Sequence, residues 1–255
     1  MTAAHPGSLA GHHALVTGGG TGLGAGAALA LAADGAQVTI AGRTQATLEE
    51  TVAAASGLPG TIRAIQADVT SEESVEALVE AADAHVPLTI LVTAAGVNYP
   101  GPTVDTTMTE VDRIFDTNIR GTFLAARAVG RRMLDRGDGG RIVLLSSQMG
   151  EVGYPGRAAY CASKHAVNGM VKALAVEWAS HGITVNAVSP TFVITPLTKG
   201  FFDDPAFADD VLRRIPAGRL AEVDHISGAV RYLVSDVAAM TTGQILGVDG
   251  GWTAW

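Results

Sequence analysis

The run His13-Ala14-Leu15-Val16-Thr17-Gly18-Gly19-Gly20-Thr21-Gly22-Leu23-Gly24 joins a short apolar strand to a glycine-rich turn, and an alanine-rich stretch from Ala25 to Ala33 follows at once. Glycine permits a tight turn and lets the backbone approach a ligand. A helix that begins after such a turn offers unpaired N–H groups and a partial positive charge to phosphates. The strict G-x-G-x-x-G spacing is replaced by the looser Gly20-x-Gly22-x-x-Ala25. Because the glycine spacing is loose, the prediction of a dinucleotide site depends on the strand before the turn and the helix after it.

The rest of the chain repeats the same alternation of apolar strands and helical stretches. Its candidate strands are nearly continuous in apolar residues, as parallel strands buried on both faces are. The pattern predicts an α/β fold with a parallel sheet covered by helices on both faces. A proline- and phenylalanine-rich region near 195–216 is predicted to form a small helical flap over the carboxyl edge of the sheet, and residues 1–10 a loose tail. The predicted strands are His13–Thr17, Gln37–Gly42, Thr61–Gln66, Leu88–Thr93, Arg141–Ser146, Thr184–Val188 and Gln244–Val248; the predicted helices are 22–34, 44–56, 71–85, 107–136, 156–181 and 224–235.

The composition excludes several classes of protein. Of the 255 residues 47% are apolar and 16% charged, which is a globular composition. A net charge of −8 argues against a nucleic acid or an anionic membrane as the main partner. Cys161 is the one cysteine, so a reducing compartment is expected. The start resembles no signal peptide and no apolar run approaches 18 residues, so we expect a cytoplasmic protein.

Tyr160 and Lys164 are four residues apart, and Ser147 lies thirteen residues before Tyr160. On a helix the phenol and the ammonium share one face. A nearby ammonium stabilises a phenolate and lowers its pKa from about 10 toward neutrality. The pair is therefore predicted to give and take a proton near pH 7.

The end of the second predicted strand reads Ala41-Gly42-Arg43-Thr44. NAD sites usually place an acid there to hold the ribose 2′-hydroxyl. Arginine in its place can hold a 2′-phosphate, which favours NADP(H) over NAD(H). Asp68, which ends the third strand, is predicted to receive the adenine amino group, with a helix cap as the other interpretation.

Thr17-Gly18-x-x-x-Gly22-x-Gly24, then Ser147, then Tyr160-x-x-x-Lys164 resemble the short-chain dehydrogenase/reductase family, in its shorter branch of about 250 residues. The resemblance covers nearly the whole chain. It implies a single Rossmann-type, doubly wound domain over 1–255 with a seven-stranded parallel sheet. It also implies a homo-oligomer, usually a tetramer, that interconverts an alcohol and a ketone with NAD(P)(H).

The resemblance also assigns roles to residues. Tyr160 would be the general acid/base, Ser147 would donate to the carbonyl oxygen, and Lys164 would bind the nicotinamide ribose. Asn118 would hold a water that links Lys164 to solvent. Val248-Asp249-Gly250-Gly251 would lie at a subunit contact, with Trp252 and Trp255 as anchors of the tail. The cofactor-binding residues would be Gly18, Gly20, Thr21, Gly22, Leu23, Gly24, Arg43, Thr44, Asp68, Val69, Ala94, Ala95, Gly96, Tyr160, Lys164, Pro190, Val193 and Thr195.

The chain departs from the family pattern at two places. Thr93-Ala94-Ala95-Gly96 stands where the family has Asn-Asn-Ala-Gly, and Thr93 is expected to replace in part the amide that braces the sheet. Pro190-Thr191 stands for the usual Pro-Gly.

The substrate walls are predicted at the carboxyl ends of the strands. Gln148, Glu151, Tyr154 and Phe192 are the predicted substrate-binding residues; Ala94, Val97, Asn98, Met149, Phe201 and Phe202 are further wall candidates. The polar members favour a sugar, a polyol or a cyclic alcohol or ketone. The apolar flap favours a 3-oxoacyl thioester, and both remain open. A non-enzymatic NADP(H)-binding sensor is the alternative of another class. The histidines show no i, i+4 pair, so no catalytic metal site is expected.

Overall fold

A seven-stranded parallel sheet forms the centre of the molecule in a computed structural model that describes residues 9–84 and 86–254. The strand order is β3-β2-β1-β4-β5-β6-β7. The order reverses between β1 and β4, and ligands bind outside the carboxyl ends of strands at such a point. The strands are β1 His13–Thr17, β2 Gln37–Gly42, β3 Thr61–Gln66, β4 Ile90–Thr93, β5 Gly140–Leu145, β6 Ile183–Pro190 and β7 Ile245–Val248.

Two layers of helices cover the sheet, and the predicted α/β class is confirmed. One apolar cluster joins the sheet to α1, α2 and α8, and a second joins it to α3, α5 and α6. Every residue of β1 and of β6 is buried, as their continuous apolar runs predict. The helices are α1 Gly22–Ala33, α2 Gln45–Ala54, α3 Glu72–Asp83, α4 Met108–Phe115, α5 Thr122–Arg136, α6 Ala158–Trp178, α7 Pro205–Arg213 and α8 Val223–Val234.

The helix predicted over 107–136 is interrupted. A π-helical segment, Asp116–Gly121, separates α4 from α5 and carries Asn118. Gly121 packs against Val69, which follows β3. A Cβ on Gly121 would lie 2.8 Å from Cγ2 of Val69. Single π-helical turns of this kind occur mostly at functional sites.

The predicted flap near 195–216 is present. It consists of a 3₁₀ turn, Lys199–Asp203, and of α7. Its apolar side packs on a small cluster of its own that includes Met149, Phe192 and Trp252. The flap is therefore held to the body of the molecule by side-chain packing.

The ends of the chain are described in part. Residues 1–8 of the predicted loose tail, and Trp255, lie outside the described residues. The prediction is wrong for Leu9, which is 3% exposed and donates its N–H to the Asp34 carbonyl at 2.8 Å. Over the described residues, no helix has the length and apolarity needed to cross a membrane.

Candidate active site

A cleft opens at the carboxyl ends of β1, β4, β5 and β6, at the reversal of the strand order. It contains three of the four predicted catalytic residues and most of the predicted cofactor-binding ones. The lining includes Gly18, Thr21, Gly22, Leu23, Gly24, Ala94, Ala95, Gly96, Asn98, Ser147, Gln148, Met149, Tyr160, Lys164, Pro190, Thr191, Phe192, Val193, Thr195, Leu197 and Phe201.

The glycine-rich turn is shaped for close approach. Gly18 has φ 68°, and a Cβ there would lie 2.6 Å from the Ala95 nitrogen. A Cβ on Gly24 would lie 2.2 Å from the Gly18 carbonyl oxygen, so both positions admit only glycine. Thr21 precedes α1 in an extended conformation and its side chain caps none of the first-turn N–H groups. These free donors, at the positive end of the helix dipole, fit the pyrophosphate of a dinucleotide.

Five predicted cofactor residues lie outside this lining. Gly20 faces α2, where a Cβ would be 2.6 Å from Thr47 Oγ1. The other four follow β2, the neighbour of β1, and β3, the next strand outward, and so lie along the same edge of the sheet: Arg43, Thr44, Asp68 and Val69.

Arg43 and Asp68 differ in the hydrogen bonds that their side chains already make within the protein. Arg43 is exposed, and its side chain has no hydrogen bond or ion pair with any described residue. One carboxylate oxygen of Asp68 accepts from the Thr70 N–H at 3.0 Å and from Thr70 Oγ1 at 2.9 Å. Ser71, not Asp68, caps α3. Arg43 is thus free for a 2′-phosphate, and a cap is not the role of Asp68.

Ser147, Tyr160 and Lys164 meet in the cleft. Ser147 follows β5, and its Oγ accepts from the Met149 N–H at 3.2 Å, which leaves the hydroxyl hydrogen free to donate. Tyr160 and Lys164 lie one turn apart at the start of α6. Lys164 Nζ donates to the Leu145 carbonyl at 2.7 Å and lies 5.7 Å from the centre of the Tyr160 ring.

Burial dominates the proton affinities of this pair. It raises the pKa of Tyr160 to about 12, although a hydrogen bond from Ser147 acts in the opposite direction. It also lowers the pKa of Lys164 to about 8, because the ammonium is removed from water. The net shift of the Tyr160 pKa is therefore upward, opposite to the predicted lowering, because desolvation outweighs the groups that lower it.

Asn118 is completely buried and braces the site. Its Nδ2 donates to the Val97 carbonyl at 2.9 Å and to Ser163 Oγ at 3.0 Å, and its Oδ1 accepts from the Val97 N–H at 2.8 Å. Both amide hydrogens are thus used within the protein. The side chain ties the loop after β4 to α6, and the water that Asn118 was predicted to hold stays a prediction.

Two of the four predicted substrate-binding residues do not line the cleft. Glu151 is exposed, and its carboxylate accepts from Ser189 Oγ at 2.9 Å. The Tyr154 hydroxyl donates to Asp210 at 3.0 Å, and its ring packs behind the wall against Phe192, at 5.8 Å between ring centres. Gln148 and Phe192 do line the cleft and are 1% and 6% exposed.

Several polar atoms around the cleft have no partner. Asn98 Oδ1, Gln148 Oε1 and Thr191 Oγ1 line it, are buried, and find no hydrogen bond among the described residues. Thr93 Oγ1, nearby at the end of β4, is also buried and unpaired, so the expectation that it replaces the family's bracing amide is wrong. Of these residues, Thr191 was not predicted to line the site, although its position next to the predicted cofactor-binding residue Pro190 indicated it.

The chain matches a known family over most of its length. A family model described as Enoyl-(Acyl carrier protein) reductase matches residues 18–253. L-xylulose reductase of Bos taurus is 38% identical over 246 residues, which cover 96% of this chain and 98% of the relative. D-threitol dehydrogenase of Mycolicibacterium smegmatis is 40% identical over 246 residues, which cover 96% of this chain and 94% of the relative.

A solved structure repeats the fold in full. It is of an Agrobacterium tumefaciens protein provisionally described as a 2-deoxy-d-gluconate 3-dehydrogenase, with bound NADP. It is 35% identical to this chain, covers 98% of it and is itself covered in full, with a TM-score of 0.92. By their names, these three proteins act on a sugar, a polyol and a sugar acid.

Proposed function

The chain belongs to the short-chain dehydrogenase/reductase family and is an NAD(P)-dependent alcohol dehydrogenase or ketoreductase, and from this premise we propose that it interconverts a secondary alcohol and a ketone on a small sugar or polyol, with NADP(H). The proposal goes further than the family, because the family alone fixes neither the substrate nor the preference between the two cofactors.

The observation that carries the substrate class is the set of unpaired polar atoms in the cleft. Asn98 Oδ1, Gln148 Oε1 and Thr191 Oγ1 are buried without a partner. A buried acceptor without a donor costs free energy, which a substrate hydroxyl would recover by donating to it. Three such atoms near Ser147 suit a molecule with several hydroxyl groups.

In the proposed mechanism the chain handles the proton and the developing charge. A nicotinamide cofactor, when bound, supplies or accepts the hydride. Tyr160 gives its proton to the substrate oxygen in reduction and takes it back in oxidation. Ser147, held by Met149, donates a hydrogen bond to the same oxygen as charge develops there. Lys164 presents its ammonium beside the phenol.

The preference for NADP(H) rests on Arg43. Its exposed guanidinium is unpaired among the described residues and follows β2, where the adenosine ribose of a dinucleotide lies. We expect Arg43→Gln to raise the KM for NADPH roughly tenfold or more, from the loss of charge-assisted hydrogen bonds, and to leave the KM for NADH nearly unchanged. Initial rates with each cofactor measure this. Equal effects on both cofactors would contradict the role of Arg43.

Absorbance at 340 nm tests the substrate class. Purified protein would be assayed with NADP(H) on ketoses and polyols of four to six carbons, on cyclic ketones and on 3-oxoacyl thioesters. We expect turnover in the sugar and polyol group, and a loss of roughly tenfold or more in kcat/KM for Gln148→Leu, which removes one hydroxyl partner. Gln244→Leu, an exposed glutamine before β7, is the matched control.

A second candidate substrate is a 3-oxoacyl thioester. It is favoured by the apolar side chains of Met149, Phe192 and Phe201 in the cleft. The description of the matching family also names an acyl thioester of a carrier protein, with an enoyl in place of a 3-oxoacyl group. Turnover of thioesters without turnover of any sugar or polyol would favour this candidate and overturn the first.

A further inference from the structure

Arg157 is a buried positive charge without a counter-charge. It is 6% exposed and is the one arginine buried to this degree among residues 9–84 and 86–254. No carboxylate oxygen of the described residues lies within 4.0 Å of its guanidinium. Nη1 donates to the Gly156 carbonyl at 3.1 Å, and Nε is buried with no partner. Buried charges in proteins are normally paired, so this arginine lacks an anion.

The element that carries Arg157 adds positive potential at the same place. Arg157 is the residue before α6, a helix of 21 residues whose first turn contains no acid and whose N–H groups receive no side-chain cap. The positive end of the helix dipole is therefore unopposed there. The guanidinium and the helix end both favour an anion, and no acid of the described residues balances either of them.

Arg157 lies directly behind the wall of the cleft, next to side chains that form its lining. The guanidinium carbon is 5.1 Å from the ring centre of Phe201, which lines the cleft from the flap. Tyr160, three residues further along α6, lines it from the other side. The preceding Gly156 accepts from the Gly101 N–H at 3.1 Å, so the loop after β4 closes this corner. The glycine-rich turn and Arg43 are provided by β1 and β2, so the phosphates of a dinucleotide have donors elsewhere.

We propose that Arg157 binds a carboxylate of the substrate, and that the preferred substrates are sugar acids: polyhydroxy acids and the corresponding keto acids. The inference deepens the proposed function and rests on it. A planar guanidinium matches a carboxylate through two parallel hydrogen bonds. The ring of Phe201 holds the guanidinium plane in place. A phosphate ester shares the negative charge, but the cation in the lining, Lys164, already donates to the Leu145 carbonyl. The carboxylate binds and is chemically unchanged; the secondary alcohol alone is oxidised.

Matched substrate pairs test the proposal. Aldonates of four to six carbons would be compared with the alditols of the same configuration, and with one sugar phosphate, using NADP⁺. Three proteins would be assayed: the wild type, Arg157→Gln, and Arg214→Gln. Arg214 is the control because it also stacks on an aromatic ring, at 5.6 Å from the centre of Tyr154, but already has a carboxylate partner, Asp210.

The proposal expects the wild type to favour the aldonates by roughly ten- to a hundredfold in kcat/KM, the usual effect of a charged hydrogen bond. Arg157→Gln should remove that preference through a higher KM and leave the alditols and kcat nearly unchanged. An equal loss on both series would show that Arg157 acts on Tyr160 or on folding, and would overturn the proposal. A preference for the sugar phosphate over the aldonates would overturn it too.

A binding measurement separates this proposal from the proposed function. In the Tyr160→Phe background, which suppresses turnover, calorimetric titration with a hexonate in the presence of NADP⁺ should give binding that Arg157→Gln abolishes. If neither series is turned over by the wild type, the proposed function fails. Hexonate binding that depends on Arg157 would then still support the carboxylate site, and no binding would overturn it.

Discussion

At the scale of single residues, the proton-transfer role assigned to Tyr160 has a direct test with an internal control. We expect Tyr160→Phe to lower kcat at least about a hundredfold, because a positioned acid–base group contributes that much or more. NADPH binding, followed by fluorescence, should persist. Tyr154→Phe is the matched variant, because its hydroxyl donates to Asp210 outside the cleft. Comparable turnover of the two variants would contradict the assignment.

The pKa of Tyr160 predicts opposite pH dependences for the two directions of the reaction. Burial raises this pKa to about 12, so the phenol is protonated through the neutral range. Reduction uses the phenol and should change little between pH 6 and about 7.5, where the Lys164 ammonium, with its pKa lowered to about 8, also keeps its charge. Oxidation uses the phenolate, whose fraction grows about tenfold per pH unit below the pKa, so its kcat/KM should rise with pH. Initial rates in both directions measure this, and an oxidation rate that is flat over that range would contradict it.

At the scale of secondary-structure elements, the π-helical turn between α4 and α5 has a structural purpose that the sequence did not reveal. The extra residue brings Asn118 to the loop after β4 and to Ser163 of α6. Apolar periodicity indicates a helix over the whole segment, because one residue added to a single turn changes the spacing of apolar residues too little to be seen. The prediction of a continuous helix was therefore wrong there. The partners of Asn118 are 21 and 45 residues away, and no local pattern contains them.

Asn118→Leu should therefore destabilise the fold. The change leaves the Val97 N–H and carbonyl without partners in a buried place, and each such group costs about 1–3 kcal/mol. We expect the free energy of unfolding to fall by at least about 2 kcal/mol in urea titrations. Asn98→Leu is the control, because the side-chain oxygen of Asn98, Oδ1, has no partner to lose among the described residues. An unfolding free energy equal to that of the wild type would contradict the bracing role.

Local patterns predicted the elements better than the directions of side chains. The strands follow from apolar runs, the flap from its prolines and phenylalanines, and the shared face of Tyr160 and Lys164 from helical spacing. The place of Ser147 beside them came from the family resemblance. Glu151 and Tyr154 were misplaced because their side chains turn to Ser189 and Asp210, which are 38 and 56 residues away. Arg157 was missed for a related reason: its spacing from Tyr160 was visible, but the absence of an acid beside it is a property of the folded chain.

At the scale of the whole molecule, self-association remains a prediction. Large apolar side chains are exposed along α4 and α5: Met108 at 67%, Phe115 at 37% and Phe123 at 44%. Exposed apolar residues on neighbouring helical turns suit a contact with a second copy. We expect a homotetramer by size-exclusion chromatography with light scattering, and a smaller assembly for Phe123→Glu. A monomeric wild type would contradict the prediction.

The stack of rings behind the cleft couples the far end of the chain to substrate choice. Trp252 packs on Phe192, with 5.9 Å between ring centres, and Phe192 is itself part of the cleft wall. An alteration at Trp252 would therefore be transmitted to the bound substrate through one intervening side chain. Relatives could acquire new preferences by changes far along the chain from the proton-transfer residues.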